Sequence, residues 1–155
     1  MRVVMTNDTG SWPLKAAVKE HLMNKGYEIL DLGMKSRDQE MVYTQAGHLA
    51  AKAIQHGDAQ LGVIFCGSGA GVCITANKHQ GVDAVVCESI ETARGARLIN
   101  DAKILCMGGN IVPEDLAKEM AEVFLSTEFA EGMEPARKTR IRGYIDQIRQ
   151  LEETF

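Results

Sequence analysis

LGVIFCGSGAGVCITANK, residues 61–78, runs from an apolar stretch through three glycines in five residues into a helical pattern. Leu61–Phe65 is short, continuous and apolar, as expected of a strand buried on both faces. Cys66–Gly71 reads as a glycine-rich turn, and Val72–Lys78 begins a helix. Strand, tight turn and helix in that order are the unit of a parallel α/β sheet. The same alternation extends outward. Arg2–Thr6, Tyr27–Leu32, Val82–Cys87 and Ile104–Met107 read as further strands. Pro13–Asn24, Thr44–Gln55, Glu91–Leu98, Glu114–Leu125 and Pro135–Leu151 read as helices. In the first helix Leu14, Ala17, Val18, His21 and Leu22 share one face, and Gly26 suits its C-terminal cap. The expectation is one α/β domain over residues 1–155, with five parallel strands and helices on both faces. Ligands of such sheets bind beyond the carboxyl ends of the strands. That singles out the loops Asn7–Trp12, Cys66–Gly71 and Glu88–Ser89.

Composition narrows the function. With 155 residues, 45% hydrophobic and 25% charged, the chain suits a globular domain with its own core. Seventeen Lys and Arg against twenty-one Asp and Glu give a formal charge of −4, which argues against a nucleic-acid partner. No apolar run approaches the length of a membrane span. MRVVMTND at the start lacks a basic region followed by an apolar stretch, so no secretory signal is expected and the location is read as cytoplasmic. The four cysteines, at 66, 73, 87 and 106, form no CxxC pair, and no metal-ligand spacing is present. Cys73, Cys87 and Cys106 read as reduced thiols packing as small hydrophobes.

Cys66 differs by position. The glycines let backbone N–H groups converge on one point, and the following helix adds its own free N–H groups. An anion or a developing oxyanion suits that cradle. A thiol in the same field gains thiolate character. A base beside an oxyanion cradle can remove a proton next to a carbonyl. The plain alternative is a tight turn with an inert thiol. GxGxG is not the dinucleotide fingerprint GxGxxG, and Val72 stands where a thiol phosphatase loop needs arginine.

The whole segment 65–78 resembles the signature of the ribose-5-phosphate isomerase B and galactose-6-phosphate isomerase family. VVMTNDTG (3–10), LKAAVKEHLMNKGYEILDLG (14–33), NDAKILCMGGNIV (100–112) and LAKEMAEVFLSTEF (116–129) extend the resemblance over nearly the full chain. It implies a Rossmann-like three-layer α/β/α sandwich whose C-terminal helix reaches a dimer partner. It also implies a cofactor-free and metal-free aldose–ketose isomerase of a sugar phosphate, working through a cis-enediolate. The active site would be shared within a homodimer, with dimer or tetramer left open. By position, Cys66 would be the general base and Ser68 would shuttle a proton between O1 and O2. Gly67, Gly69, Ala70 and Gly71 would hold the enediolate oxygen. Asp8, Thr9, Tyr43 and the partner's Asn100 would contact substrate. Arg137, Lys138 and Arg140 of the partner's last helix would hold the phosphate.

Departures from the pattern bear on the substrate. Thr9 replaces a histidine of the family loop, and Ile99 replaces the histidine credited with ring opening. Glu134 falls where the pattern has a phosphate-binding arginine. A tetrose 4-phosphate cannot close a furanose ring, because O4 carries the phosphate. The expected substrate is therefore an open-chain sugar phosphate such as a tetrulose phosphate. The alternatives are ribose 5-phosphate itself and a non-catalytic sugar-phosphate sensor. Lys78 is read as pairing with a carboxylate such as Asp8, the alternative being a solvated last-turn lysine. Arg94 and Arg97 are read as solvated helix arginines, the alternative being that one of them replaces the missing phosphate-binding arginine. Trp12 and Met133 are placed at the pocket. His21 and His48 are read as surface or helix-packing residues, His56 as a helix-end contact and His79 as a C-terminal cap.

Overall fold

Val3, Met5, Val63, Phe65, Leu105 and Met107 face one way and Val4, Ile64, Ile104 and Cys106 the other, and all are buried. Strands apolar on both faces need helices on both faces. The structure, a computed structural model, describes residues 1–154. Strands β1 (Arg2–Asn7), β2 (Glu28–Asp31), β3 (Leu61–Cys66), β4 (Ala84–Val86) and β5 (Ile104–Gly108) form one parallel sheet in the order β2-β1-β3-β5-β4. Helices α1 (Trp12–Asn24), α4 (Ile90–Leu98) and α5 (Glu114–Ser126) cover one face through Val18, Leu22, Ala93 and Phe124. Helices α2 (Tyr43–Gln55) and α3 (Ala70–Ala76) cover the other through Ala46, Ala50, Val72 and Ala76. The three-layer α/β/α sandwich expected from the sequence is present. No helix among the described residues is long and apolar enough to cross a membrane.

The boundaries shift for local reasons. Helix α3 starts at Ala70, two residues earlier than the pattern suggests, because Gly69 completes the turn at φ +81°. Helix α1 follows a 3-10 turn over Thr9–Ser11, whose cap is the Asp8 carboxylate accepting from the Ser11 amide at 3.0 Å. The edge strands β2 and β4 are shorter than read, since each pairs on one side only.

The buried face of α1 carries a charge that periodicity did not reveal. Lys15, only 2% exposed, sits there with Leu14, Val18 and Leu22. Its ammonium donates to both oxygens of Asp31 at 3.0 and 2.9 Å and to the Met34 carbonyl at 2.6 Å. Lys19 reaches the same carboxylate at 2.7 Å, and Asp31 also accepts from the Gly33 amide at 3.0 Å. Burial pushes the Asp31 carboxyl up, but the hydrogen bonds from Lys15 and Lys19 outweigh it and hold the group at about 2. His21, read as a surface or helix-packing residue, pairs with Glu122 of the neighbouring α5.

Helix α6 (Pro135–Glu153) stands apart from both layers. Ile141 is its one buried residue. Arg149 pairs with Asp83, and Glu152 accepts from the Gly81 amide at 3.1 Å, tying its C-terminal half to the loop before β4. Tyr144, Ile148 and Leu151 form an exposed apolar stripe at helical spacing.

Replacing Asp31 with alanine leaves Lys15 buried without its counter-charge. It should cost about 3–5 kcal/mol, lowering the melting temperature by roughly 10 °C in a chain of this size. The pair of changes Lys15→Met and Asp31→Leu should recover most of that loss. Because the folded Asp31 pKa lies below its ordinary 3.8, its contribution is complete above that value. It disappears as the pH falls toward 2. Thermal melts at pH 7 and along an acid series check both outcomes.

Candidate active site

The sheet order turns between β1 and β3, since the chain passes to β2 on one side and to β3 on the other. Parallel strands put Asn7 and Cys66, the last residues of β1 and β3, at the same edge. This crevice is where α/β sheets bind ligands. The Asp8 amide donates to the Phe65 carbonyl at 3.1 Å, so the loop after β1 leans on the end of β3. Tyr43 opens α2 above the same loop. A Cβ on Gly71 would lie 2.7 Å from its ring, so Tyr43 and Gly71 are in direct contact.

The loop after β5 supplies the third wall, and the sequence search passed over it. The Gly109 amide donates to the Cys66 carbonyl at 2.8 Å, and the Asn110 amide to the Gly67 carbonyl at 3.0 Å. A Cβ on Gly108 would fall 2.7 Å from the Ser68 carbonyl carbon and 2.8 Å from its oxygen. Only glycine lets the two loops approach this closely. The pair Gly108-Gly109 at a strand end was the available signal; its meaning depends on β5 lying beside β3.

With the carbonyls of Cys66 and Gly67 engaged, the amides of Ser68 and Gly69 donate to no acceptor among the described residues. The Ala70 amide donates to Ser68 Oγ at 3.3 Å, which holds that hydroxyl at the mouth of the turn. Cys66 itself is 3% exposed at the base of the loop. A thiol, a hydroxyl and the free amides of Gly67, Ser68 and Gly69 thus share one turn, equipment suited to moving protons beside a carbonyl.

The structure therefore gathers Asp8, Thr9, Tyr43 and the segment Cys66–Gly71. Asp8 is occupied, accepting from Ser11 Oγ at 2.7 Å as well as from the Ser11 amide. Thr9 accepts from the Met41 amide at 3.0 Å and donates to the Met41 carbonyl at 3.1 Å. Asn100, Arg137, Lys138 and Arg140 are not gathered with Cys66 in this protomer. Helix α4 runs back to the amino edge of the sheet, where the Ala130 amide donates to the Leu98 carbonyl at 2.9 Å. Asn100 and the approach to α6 lie at that edge. Met133, whose amide bonds the Ala130 carbonyl, lies there too, whereas Trp12 stands beside Thr9 and Gly10.

Several expected roles are corrected. Lys78 is exposed and pairs with no carboxylate among the described residues, because Asp8 faces Ser11 and the buried lysine is Lys15. Arg97 is buried, bonding Asp101 at 2.7 Å and the Ala102 carbonyl at 2.9 Å, so it cannot hold a substrate anion. Cys87 and Cys106 are buried, as expected of packing thiols. Cys73 is half-buried, and a hydrogen bond with Cys106 lowers its thiol to about 7 against the opposing effect of burial. Ser89 caps α4 by accepting from the Thr92 amide at 3.2 Å, which accounts for the Glu88–Ser89 loop. His79 Nδ1 lies 3.2 Å from the Thr75 carbonyl at the end of α3 and 2.8 Å, through Nε2, from His48.

A doubly wound parallel sheet with a thiol-bearing amide cradle at its turning point belongs to the α/β class, which binds its ligands at this crevice. Residues 3–142 match the Ribose/Galactose Isomerase family model. The chain belongs to that family. It is 40% identical over 155 residues to a 4-deoxy-4-sulfo-D-erythrose isomerase of Clostridium sp. (strain MSTE9), covering 100% of this chain and 98% of the relative. It is 31% identical over 146 residues to a D-erythrulose-4-phosphate isomerase of Pectobacterium atrosepticum, covering 94% and 95%. Ribose-5-phosphate isomerase B of Clostridium thermocellum superposes with a TM-score of 0.90 at 32% identity, covering 99% of both chains.

Gly108→Ala should push Ser68 and the free amides out of line while leaving the core intact. Isomerase turnover should drop by about 100-fold, the scale of a misplacement near 1 Å, with melting temperature within a few degrees of wild type. Progress curves beside thermal melts check this.

Proposed function

We propose that this protein interconverts an open-chain four-carbon aldose and its ketose, with an anionic phosphate or sulfonate on C4. One observation carries the substrate size. Among the described residues, the two positions where the family resemblance expects histidines carry none: the Thr9 hydroxyl is spent on Met41, and position 99 is an exposed isoleucine. A four-carbon sugar with a 4-phosphate or a 4-sulfonate has no free O4. It cannot form a furanose and needs no ring opening. The names of the two relatives above fall in this class.

In this reading the Cys66 thiolate removes the C2 proton of the aldose. The electron pair moves through C1 onto O1, and the cis-enediolate is held by the amides of Ser68 and Gly69. Ser68 Oγ delivers a proton to O1 and takes the one on O2. The Cys66 thiol then returns its proton to C1, giving the ketose with the thiolate restored. The chemistry is an internal redox exchange between C1 and C2, so atoms and electrons balance within the substrate.

The site is completed across a homodimer. Asn100 and the basic start of α6 lie at the far edge of their own sheet, and the stripe Tyr144, Ile148 and Leu151 is left without a partner. Packing that stripe on a second copy would carry Arg137, Lys138 and Arg140 toward the neighbouring Cys66.

NMR-detected isomerisation in D₂O over four-, five- and six-carbon phosphates and the four-carbon sulfonate tests this reading. Wild type should favour four-carbon substrates and place deuterium at C1 or C2, and Cys66→Ala should lose at least about 1,000-fold, as for a nucleophilic or basic group acting directly. Preference for ribose 5-phosphate would overturn the substrate class, and turnover indifferent to Cys66 would overturn the base. Ile148→Asp should convert the dimer to a monomer in sedimentation and abolish turnover with it.

A further inference from the structure

The segment between β2 and α2 is clamped at both ends. At its start the Met34 amide donates to the buried Asn7 Oδ1 at 3.0 Å, and the Met34 carbonyl accepts from Lys15. At its end Met41 exchanges three hydrogen bonds with Thr9, through the Thr9 amide and hydroxyl. Between these anchors Arg37 lays its guanidinium 5.3 Å from the centre of the Trp12 ring. Trp12, Thr9, Gly10, Pro13 and Arg37 line a cleft of about 280 Å³. Ser11, buried between the lining residues Gly10 and Trp12, ties the wall of this cleft to the loops after β3 and β5. Ser11 touches Gly109, where a Cβ would lie 2.9 Å away, and the Gly109 amide bonds the Cys66 carbonyl.

We propose that Arg37 binds the C4 anion of the substrate and so determines specificity for a charged four-carbon chain; this rests on the function proposed above. Lys15, Lys19 and Lys35 all spend their charge on Asp31. Arg37 pairs with no carboxylate among the described residues and is held by an aromatic face, which leaves its N–H edge to the cleft. A guanidinium presents paired donors that match tetrahedral oxyanions, and stacking reduces the side-chain freedom lost when one binds. Thr9 stands beside it without charge, so within this protomer the cleft offers a single cation to the substrate's anion. Trp12 is a positioning residue that acts through Arg37.

The test compares Arg37→Ala and Arg37→Lys with wild type on the C4-phosphate, the C4-sulfonate and 2,3-dihydroxybutanal, the same carbon chain without an anion. Arg37→Ala should raise KM for both charged substrates by about 10- to 100-fold, the scale of a hydrogen-bonded charge contact. It should change kcat by less than about 3-fold and leave the neutral aldehyde's kcat/KM as it was. Arg37→Lys should recover part of the KM loss. Stabilisation of the melting temperature by inorganic sulfate or phosphate should weaken in Arg37→Ala. An unchanged KM, or equal losses on charged and neutral substrates, would overturn the assignment. If wild type turns over none of the three, the proposed function fails by itself, and the sulfate and phosphate titrations still decide whether Arg37 binds the anion.

Discussion

The buried ion pair of Lys15 with Asp31 holds together parts of the molecule that hydrophobic packing alone would leave free to slide. It joins the core face of α1 to the end of edge strand β2, and through Met34 it fixes the first residues of the following loop. A buried ammonium is costly unless every proton finds a partner, and here three acceptor oxygens meet it. Burial lowers the Lys15 pKa while Asp31 opposes that change, so the pair persists by geometry. The Asn7 side chain, wholly buried, continues the same network from β1. The active edge of the sheet therefore rests on polar contacts with little latitude in position.

That rigidity suits the short proton transfers of the proposed mechanism. The loops after β1, β3 and β5 brace one another through backbone hydrogen bonds, Asp8 to Phe65, Gly109 to Cys66 and Asn110 to Gly67. Each bond uses a group that would otherwise compete for substrate. The amides of Gly67, Ser68 and Gly69 remain without an acceptor among the described residues. Preorganised donors of this kind stabilise a developing oxyanion without rearrangement. In the proposed function, threonine at position 9 and isoleucine at position 99 leave no ring-opening group, while Cys66 and Ser68 remain for proton transfer. The departures therefore point to a change of substrate with the chemistry kept.

Much of this was legible along the chain. The five strands, the helices and the tight turn over 65–71 follow from periodicity and glycine spacing, which are local properties. Cys66 stood out by its place in that turn, whereas Ser68, Asp8 and Tyr43 came from the family resemblance, and the structure gathers all four at one edge of the sheet. Lys15 was not, since a lysine within an apolar pattern looks like a surface residue until Asp31 is placed opposite it. Arg97 was misread for the converse reason: a helix arginine looks solvated until Asp101 and Ala102 close over it. Arg37 sits in a polar stretch with no periodicity at all.

The sequence by itself determined the α/β class, the turn that carries Cys66 and the loss of two histidines, because each is written in residues adjacent along the chain. Tertiary structure decided which loops meet. Placing β5 between β3 and β4 brings Gly108-Gly109 under Ser68, and clamping the segment 34–41 sets Arg37 over Trp12. These contacts join residues far apart in sequence, and their formation depends on strand order and buried polar pairing, neither of which leaves a periodic trace in the chain.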